Sequence, residues 1–313
     1  MSDMGHDHDH AHHHAPSADA DRRLLGVALV LITGFMVVEV SVGLLVDSLA
    51  LLSDAAHMLS DAAAIALALF ATRLAARPPS GGYTYGLKRA EILSAQANGL
   101  TLLLLAVWIG YESVTRLIHP PAVGGGAVLV TAIAGIAVNL LVVWILGRAD
   151  RSSLNVEGAF QHVLTDLFAF VAAAVSGLVV LLTGFHRADA IASLVVAALM
   201  VRSGLGLVRD SGRIFLEAAP AGMDPAALGR ELCGVPGVVE LHDLHVWQVT
   251  SGYPALSAHV LVAPSGDCHA VREAIEERLR ERYAIEHTTL QVDHTLDAEH
   301  CVDSHGATYK GSG

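Results

Sequence analysis

Six stretches of bilayer length dominate this chain and constrain its fold more than any other feature of the sequence. A spanning helix needs about 20 mainly apolar residues, and the stretches lie at residues 24–46, 49–71, 92–118, 126–146, 159–183 and 188–208. Only 16% of the residues are charged, whereas about a quarter are charged in a soluble domain. The pattern predicts an α-helical membrane protein with six transmembrane helices, rather than a soluble protein with six apolar core helices.

The Lys and Arg residues of the short loops predict the orientation of the chain in the membrane. Ten of them lie on the side that holds the N-terminal flank, the loops after the second and fourth stretches, and the segment after the sixth; two lie in the opposite loops. Positive loops stay in the cytoplasm, so we expect a multi-pass protein of the cell membrane with both termini cytoplasmic. The net charge of −12 argues against a nucleic-acid partner.

After Pro220 the composition becomes that of a small soluble domain. A helix that begins at Asp224-Pro225 is followed by strands at 238–250 and 256–263, an amphipathic helix at 267–283 and a strand at 288–294. This order predicts a cytoplasmic ferredoxin-like α+β domain. The expected parts are a His-rich disordered cytoplasmic tail at 1–21, the six-helix transmembrane domain at 22–213, the ferredoxin-like domain at 214–296, and a disordered tail at 297–313.

Two of the membrane stretches each carry a histidine and an aspartate four residues apart. His57 and Asp61 lie in the second stretch, with Asp54 on the same face, and His162 and Asp166 lie in the fifth. Residues i and i+4 of a helix lie about 40° apart on one face. Ionisable groups inside a membrane are costly and mark functional sites. The repeated spacing therefore favours one site shared by two helices, although hydrogen bonds that merely bridge helices are the alternative.

Two imidazoles and two carboxylates make the tetrahedral donor set that Zn²⁺ prefers. Two carboxylates also neutralise a dication, so the loaded site is less costly in hydrocarbon than the empty, fully ionised one. Metal and protons compete for the same lone pairs, which gives a physical basis for antiport without a nucleotide. The sequence by itself does not establish that the second and fifth helices touch.

Three segments resemble the cation diffusion facilitator family: residues 39–61, residues 155–166, and the run His242-Asp-Leu-His245-Val-Trp247. The resemblance covers residues 22–296. It implies a homodimer with six helices per protomer, a cytoplasmic ferredoxin-like domain, and metal export in exchange for protons. It places the transport site at the positions that match His57, Asp61, His162 and Asp166. A histidine at the position of His57 implies a preference for zinc over cadmium.

Histidines outside the membrane stretches are further candidate ligands. Resemblance to family members with a cytoplasmic metal site suggests His242, His259, His269 and His294, and surface histidines without a ligand role are the alternative. His245 is expected on the opposite strand face from His242, in a structural role. The tract 6–14, in which histidines are interspersed with aspartates, is interpreted as a metal-capturing tail or as an inert one. Residues 73–90 contain no His, Asp, Glu or Cys, so we expect no metal site in that loop.

The sequence thus predicts secondary-active zinc efflux by Zn²⁺/H⁺ antiport, with Zn²⁺ as substrate and regulatory ligand, and not an enzyme. An intramembrane metallo-hydrolase would need an open water position, whereas four protein ligands saturate the ion. A membrane metal receptor that does not transport is a second alternative. Within the transporter class, export of Co²⁺, Ni²⁺ or Cd²⁺ stays open, because ligand types alone do not fix the metal.

Overall fold

The computed structural model of the chain describes residues 18–45, 49–120, 125–295 and 306–311. Within these ranges the side chains of residues 18–20, 39, 42–45, 49–57, 60–61, 125 and 127–128 are not described.

Six long helices make up the first two thirds of the chain. They are α1 (Ala18–Leu45), α2 (Leu49–Ala75), α3 (Ala90–Ile118), α4 (Gly125–Leu146), α5 (Leu154–Thr183) and α6 (Arg187–Phe215). Within the described residues, the four segments long and apolar enough to cross a bilayer lie in α3, α4, α5 and α6, and α2 adds the shorter apolar segment Ala62–Ala75. The prediction of a helical membrane protein is confirmed, and each predicted apolar stretch falls on one of these helices.

Glycines allow α3 and α6 to pack closely. A Cβ atom on Gly204 would lie 2.9 Å from the carbonyl oxygen of Gly99, and one on Gly99 would lie 3.0 Å from the Cβ atom of Leu207. Small residues at such crossings let helix backbones approach in a membrane, where apolar burial gives no drive for association. The other helices share one buried apolar cluster, to which α1, α2, α4 and α5 all contribute.

The C-terminal domain is a four-stranded sheet covered on one face by two helices. Its elements are α7 (Pro225–Cys233), β1 (Val238–Thr250), β2 (Tyr253–Val262), α8 (Cys268–Tyr283), β3 (His287–His294) and β4 (Tyr309–Lys310). The strand order is β3-β2-β1-β4, with β1 and β2 antiparallel and β2 and β3 parallel. The apolar core lies between the sheet and the helices, and Leu241, Val260 and Ile275 are fully buried in it.

Local signals in the sequence place the two helices of this domain. The Asp224 carboxylate accepts a hydrogen bond from the Ala226 N–H at 2.9 Å, with Pro225 at the first helical position. Asp267 caps α8 in the same way, accepting from His269 and Ala270. A capping carboxylate satisfies backbone donors that have no partner within the helix.

A short strand, β4, lies within the segment 297–313, for which the sequence predicts disorder. Residues 306–311 are described, and Tyr309 and Lys310 pair with Leu241 and Glu240 at the free edge of β1. The Tyr309 ring lies against Gly229, where a Cβ atom would overlap it. This short strand is held by its pairing with the edge of β1 and by the contact of Tyr309 with Gly229 of α7. Both partners are distant in the sequence, so local periodicity does not predict the strand.

The β1–β2 turn connects the C-terminal domain to the helices. The Leu154 N–H donates to Ser251 Oγ at 3.1 Å, and Thr250 Oγ1 donates to the carbonyl oxygen of Lys88 at 3.2 Å. Arg89 also pairs with Glu217 at 3.2 Å. These contacts place the N-terminal ends of α3 and α5 beside the C-terminal domain. Both helices therefore run away from that domain towards their C-terminal ends.

Candidate metal centre

One buried histidine–aspartate pair lies on α5. His162 and Asp166 are 1% and 3% exposed, and His162 Nε2 lies 3.9 Å from Asp166 Oδ2. One helical turn separates them, so both side chains lie on the same buried face. A nitrogen and an oxygen donor at this separation can both bind one divalent cation. The structure therefore brings together the half of the predicted transport site that α5 contributes.

Helix α2 lies next to this pair. Met58 and Ala62, the residues that follow His57 and Asp61, pack in the same buried cluster as Ala159 and Val163 of α5. Asn155 also donates to the carbonyl oxygen of Ala68, and His162 and residue 61 each lie seven residues from that contact, so the segments 57–61 and 162–166 lie at a similar depth on the two helices. The side chains of Asp54, His57 and Asp61 lie outside the described residues, so the four-residue set stays a prediction.

Asn155 fixes α5 to α2 closer to the C-terminal domain. Its side chain is fully buried, and its Nδ2 atom donates to the carbonyl oxygen of Ala68 at 2.8 Å and to Thr72 Oγ1 at 2.9 Å. A buried amide that lost these partners would incur a penalty of about 1–3 kcal/mol. The two hydrogen bonds therefore hold the register of α5 against α2, two turns from His162.

A second cluster lies in the C-terminal domain, where His242, Asp243 and His259 each bring a ligand atom within 4.8 Å of the others. His259 Nδ1 lies 3.5 Å from Asp243 Oδ2, and the two imidazole rings meet edge to face, with centroids 5.4 Å apart. His242 and His259 are paired across β1 and β2, which puts both on one face of the sheet. Two nitrogens and one oxygen supply three of the four ligands of a tetrahedral zinc site.

Asp243 is a candidate ligand that the regular alternation of a strand does not predict. In a regular strand Asp243 would face away from His242. The register of β1 shifts between His242 and His245, and Asp243 has a φ of 50°. Left-handed backbone of this kind is typical of a β-bulge, and aspartate tolerates it better than most residues. The bulge turns the carboxylate towards His259.

The same bulge overturns the expectation for His245. His242 pairs with His259, and His245 pairs with Ser257. The two partners, His259 and Ser257, are two residues apart on β2 and so lie on the same face of the sheet. His242 and His245 therefore lie on the same sheet face, and the prediction of opposite faces is wrong. The extra residue of a bulge reverses the alternation that a regular strand would show.

The structure does not bring His269 and His294 into the described His242 cluster. His269 is exposed in the first turn of α8, where its backbone N–H donates a hydrogen bond to the Asp267 carboxylate. His294 lies at the end of β3, with Nε2 3.6 Å from Cys268 Sγ and 3.1 Å from the carbonyl oxygen of Gly266.

Cys233 at the end of α7 is a poor candidate for a metal ligand. Burial raises the pKa of its thiol, which keeps the thiol protonated, whereas metals bind the thiolate.

Comparisons with known proteins bear on both parts of the chain. Residues 25–216 match the family model for the cation efflux transmembrane domain, and residues 221–295 match the one for the cytoplasmic domain of cation efflux proteins. A cadmium, cobalt and zinc/H(+)-K(+) antiporter of Bacillus subtilis is 38% identical over 279 residues, covering 88% of this chain and 89% of that protein. The zinc transporter ZitB of Escherichia coli is 39% identical over 293 residues, covering 93% of each. The solved metal-bound C-terminal domain of the CzcD transporter from Cuprividus metallidurans is 31% identical, covering 22% of this chain and 97% of that one, with a TM-score of 0.22.

Proposed function

Because this chain belongs to the cation efflux family, also called the cation diffusion facilitator family, we propose that it exports Zn²⁺ from the cytoplasm in exchange for protons. It is a multi-pass membrane protein of a transporter family rather than an enzyme. The names of its relatives support zinc or another divalent cation as the substrate, and the antiporter name supports protons as the counter-ion. The cytoplasmic-domain match supports a homodimer.

The buried pair His162–Asp166 carries this proposal. In our proposal the ion is bound by this pair on α5 together with His57 and Asp61 on α2. Ionised carboxylates and neutral imidazoles bind the cation, and protonation of the same groups releases it. Protonation also neutralises the negative charge that the carboxylates would carry inside the membrane after the ion has left. Rocking of the helices then exposes the site to each side in turn, with either the ion or the protons bound.

Zinc flux in proteoliposomes tests the proposal. With a zinc-sensitive dye inside the vesicles and a pH gradient across them, we expect zinc and protons to move in opposite directions. Dissipating the gradient with a proton ionophore should remove the pH dependence of the zinc flux. Zinc binding without any flux would mean that the protein is a receptor, and flux that ignores the gradient would rule out proton exchange. Cd²⁺, Co²⁺ and Ni²⁺ in the same assay give the metal range.

We further propose that His242, Asp243 and His259 bind a regulatory Zn²⁺ in the cytoplasmic domain. His242 is 3% exposed; its Nδ1 atom lies 3.4 Å from Glu240 Oε1, and among the described residues its Nε2 atom has no hydrogen-bond partner in the protein. A buried imidazole nitrogen without a hydrogen-bond partner is typically bound to water or to an ion. His269 and His294 stay predicted ligands from the sequence, and they lie elsewhere in this conformation.

The variant His259→Gln should weaken zinc binding at this cluster in the full-length protein. Binding to the folded state alone stabilises it by about 2.7 kcal/mol when the ligand is at 100 times its Kd. We therefore expect zinc to raise the Tm of the wild type more than that of the variant, with about one fewer zinc bound per protomer. His269→Gln in the same assay separates the two ligand sets. A loss equal to that of His259→Gln would show that the His242–Asp243–His259 cluster is not the complete site.

A further inference from the structure

Three buried polar side chains lie between the cytoplasmic domain and the His162–Asp166 pair. Ser94 and Asn98 belong to α3 and Asn155 belongs to α5, and they are 3%, 2% and 0% exposed. Among the residues that the structure describes, Ser94 Oγ, Asn98 Nδ2 and Asn155 Oδ1 have no hydrogen-bond partner in the protein. We call these three residues the polar step.

The polar step leads towards the metal pair. Asn98 lies against Gly158 of α5, because a Cβ atom on Gly158 would be 3.5 Å from Asn98 Nδ2. Gly158 precedes His162 by one turn, about 6 Å along the helix axis. Asn155 and Ser94 each lie one turn nearer to the cytoplasmic domain than Gly158 and Asn98 respectively. The three side chains therefore lie along a path that runs from the cytoplasmic domain towards His162, on neighbouring parts of α3 and α5.

Apolar packing does not explain these side chains. A buried polar atom without a partner is destabilising by about 1–3 kcal/mol, and such atoms in native proteins are usually satisfied by water or an ion. The Nδ2 atom of Asn155 is held by Ala68 and Thr72, which leaves its carbonyl oxygen as the open acceptor. The amide of Asn98 can rotate to offer its oxygen instead of its nitrogen.

Neutral oxygen donors suit a divalent cation that still carries water. Ser and Asn do not titrate in the physiological range, so their oxygens bind a hydrated cation without competition from protons. They are also weaker zinc ligands than a histidine–aspartate set, so the ion can move on to the tighter site. Gly158 lets α5 lie close to Asn98, because a Cβ atom at this position would already be in van der Waals contact with the Asn98 side chain.

We propose that Ser94, Asn98 and Asn155 form a hydrated step that receives the divalent cation from the cytoplasmic side before it loses its water at His162 and Asp166. The proposal rests on the proposed function, because it requires the transported ion to reach that pair. The polar step would add selectivity for hydrated divalent cations to that of the His162–Asp166 pair. An ion must pass the polar step with its water shell before the tetrahedral ligands bind it.

Thiol accessibility tests the hydration of the polar step. In a background with Cys233, Cys268 and Cys301 replaced by Ser, we expect Asn98→Cys to react with a charged, membrane-impermeant methanethiosulfonate added from the cytoplasmic side. Zinc should slow this reaction several-fold. Leu102→Cys is the matched control, one turn further along α3 and fully buried in an apolar cluster. If Asn98→Cys reacts no faster than Leu102→Cys, the polar step is dry and the proposal is wrong.

Transport by Asn98→Leu gives a second measurement. This nearly isosteric change removes the amide, and we expect zinc flux to fall about 10-fold, as for other residues that support a metal site. Equilibrium zinc binding at the membrane site should remain. Should the leucine variant not assemble, Asn98→Ala removes the amide without added volume and carries the same expectation.

The same assays distinguish failure of this inference from failure of the proposed function. If Asp166→Ala loses zinc binding while Asn98→Leu transports normally, only the polar step is refuted. If Asp166→Ala binds and transports zinc as the wild type does, the transport site itself has been assigned wrongly.

Discussion

Replacing Asp166 by alanine should abolish zinc flux while the protein still inserts and folds. Changing even the hydrogen-bond partners of metal ligands lowers affinity or activity by about 10–100-fold, so removal of a ligand should reduce flux by about 100-fold or more. The loss should appear in both zinc and proton movement, because in our proposal the same carboxylate serves both ions. Flux in proteoliposomes, normalised to the inserted and monodisperse protein, is the measurement.

Asp189→Asn is a control for the loss of a carboxylate charge in that experiment. Asp189 also lies in a membrane helix, at the end of α6 remote from the cytoplasmic domain, where it pairs with Arg116 at 3.8 Å and accepts a hydrogen bond from Ser176. We expect this variant to keep most of its zinc flux. Equal losses in the two variants would indicate a general effect of removing intramembrane charge and would refute the site on α5.

Replacing Gly204 by valine should destabilise the membrane domain more than any other single change proposed for it. The new Cβ atom would lie 2.9 Å from both the Gly99 carbonyl oxygen and Leu103 Cγ. Since backbone atoms cannot move aside as a flexible side chain can, α3 and α6 would have to separate. Overpacking of this kind typically lowers the free energy of unfolding by about 1–3 kcal/mol. Thermal unfolding of the purified protein in detergent, followed by size-exclusion chromatography, measures the effect.

Gly206→Val is the control for this packing effect. Gly206 lies two residues further along α6, and no atom lies within 4 Å of the position that its Cβ would take. Both variants replace a helical glycine by a β-branched residue, so the intrinsic helix propensities change equally. If the two variants unfold at the same temperature, close packing of α3 against α6 does not contribute to stability.

The sequence determined which residues lie in the membrane and which of them pair within one helix. Bilayer-length apolar stretches are recognisable without any knowledge of tertiary contacts. The one-turn separation of His162 and Asp166 follows from helical geometry alone. Their place on one face and the start of α7 at Asp224-Pro225 follow from equally local signals, and the structure agrees with both.

Only the tertiary structure decided which side chains meet across elements. The contact of α2 with α5, the turn of Asp243 towards His259, and the pairing of Tyr309 with β1 all depend on partners distant in the sequence. A single extra residue in β1 reversed the face expected for His245, because the alternation along a strand holds only while its register with the neighbouring strand is unbroken. Spacing within a helix is set by backbone hydrogen bonds between near neighbours, whereas strand register and helix contacts are set by the packing of the whole domain.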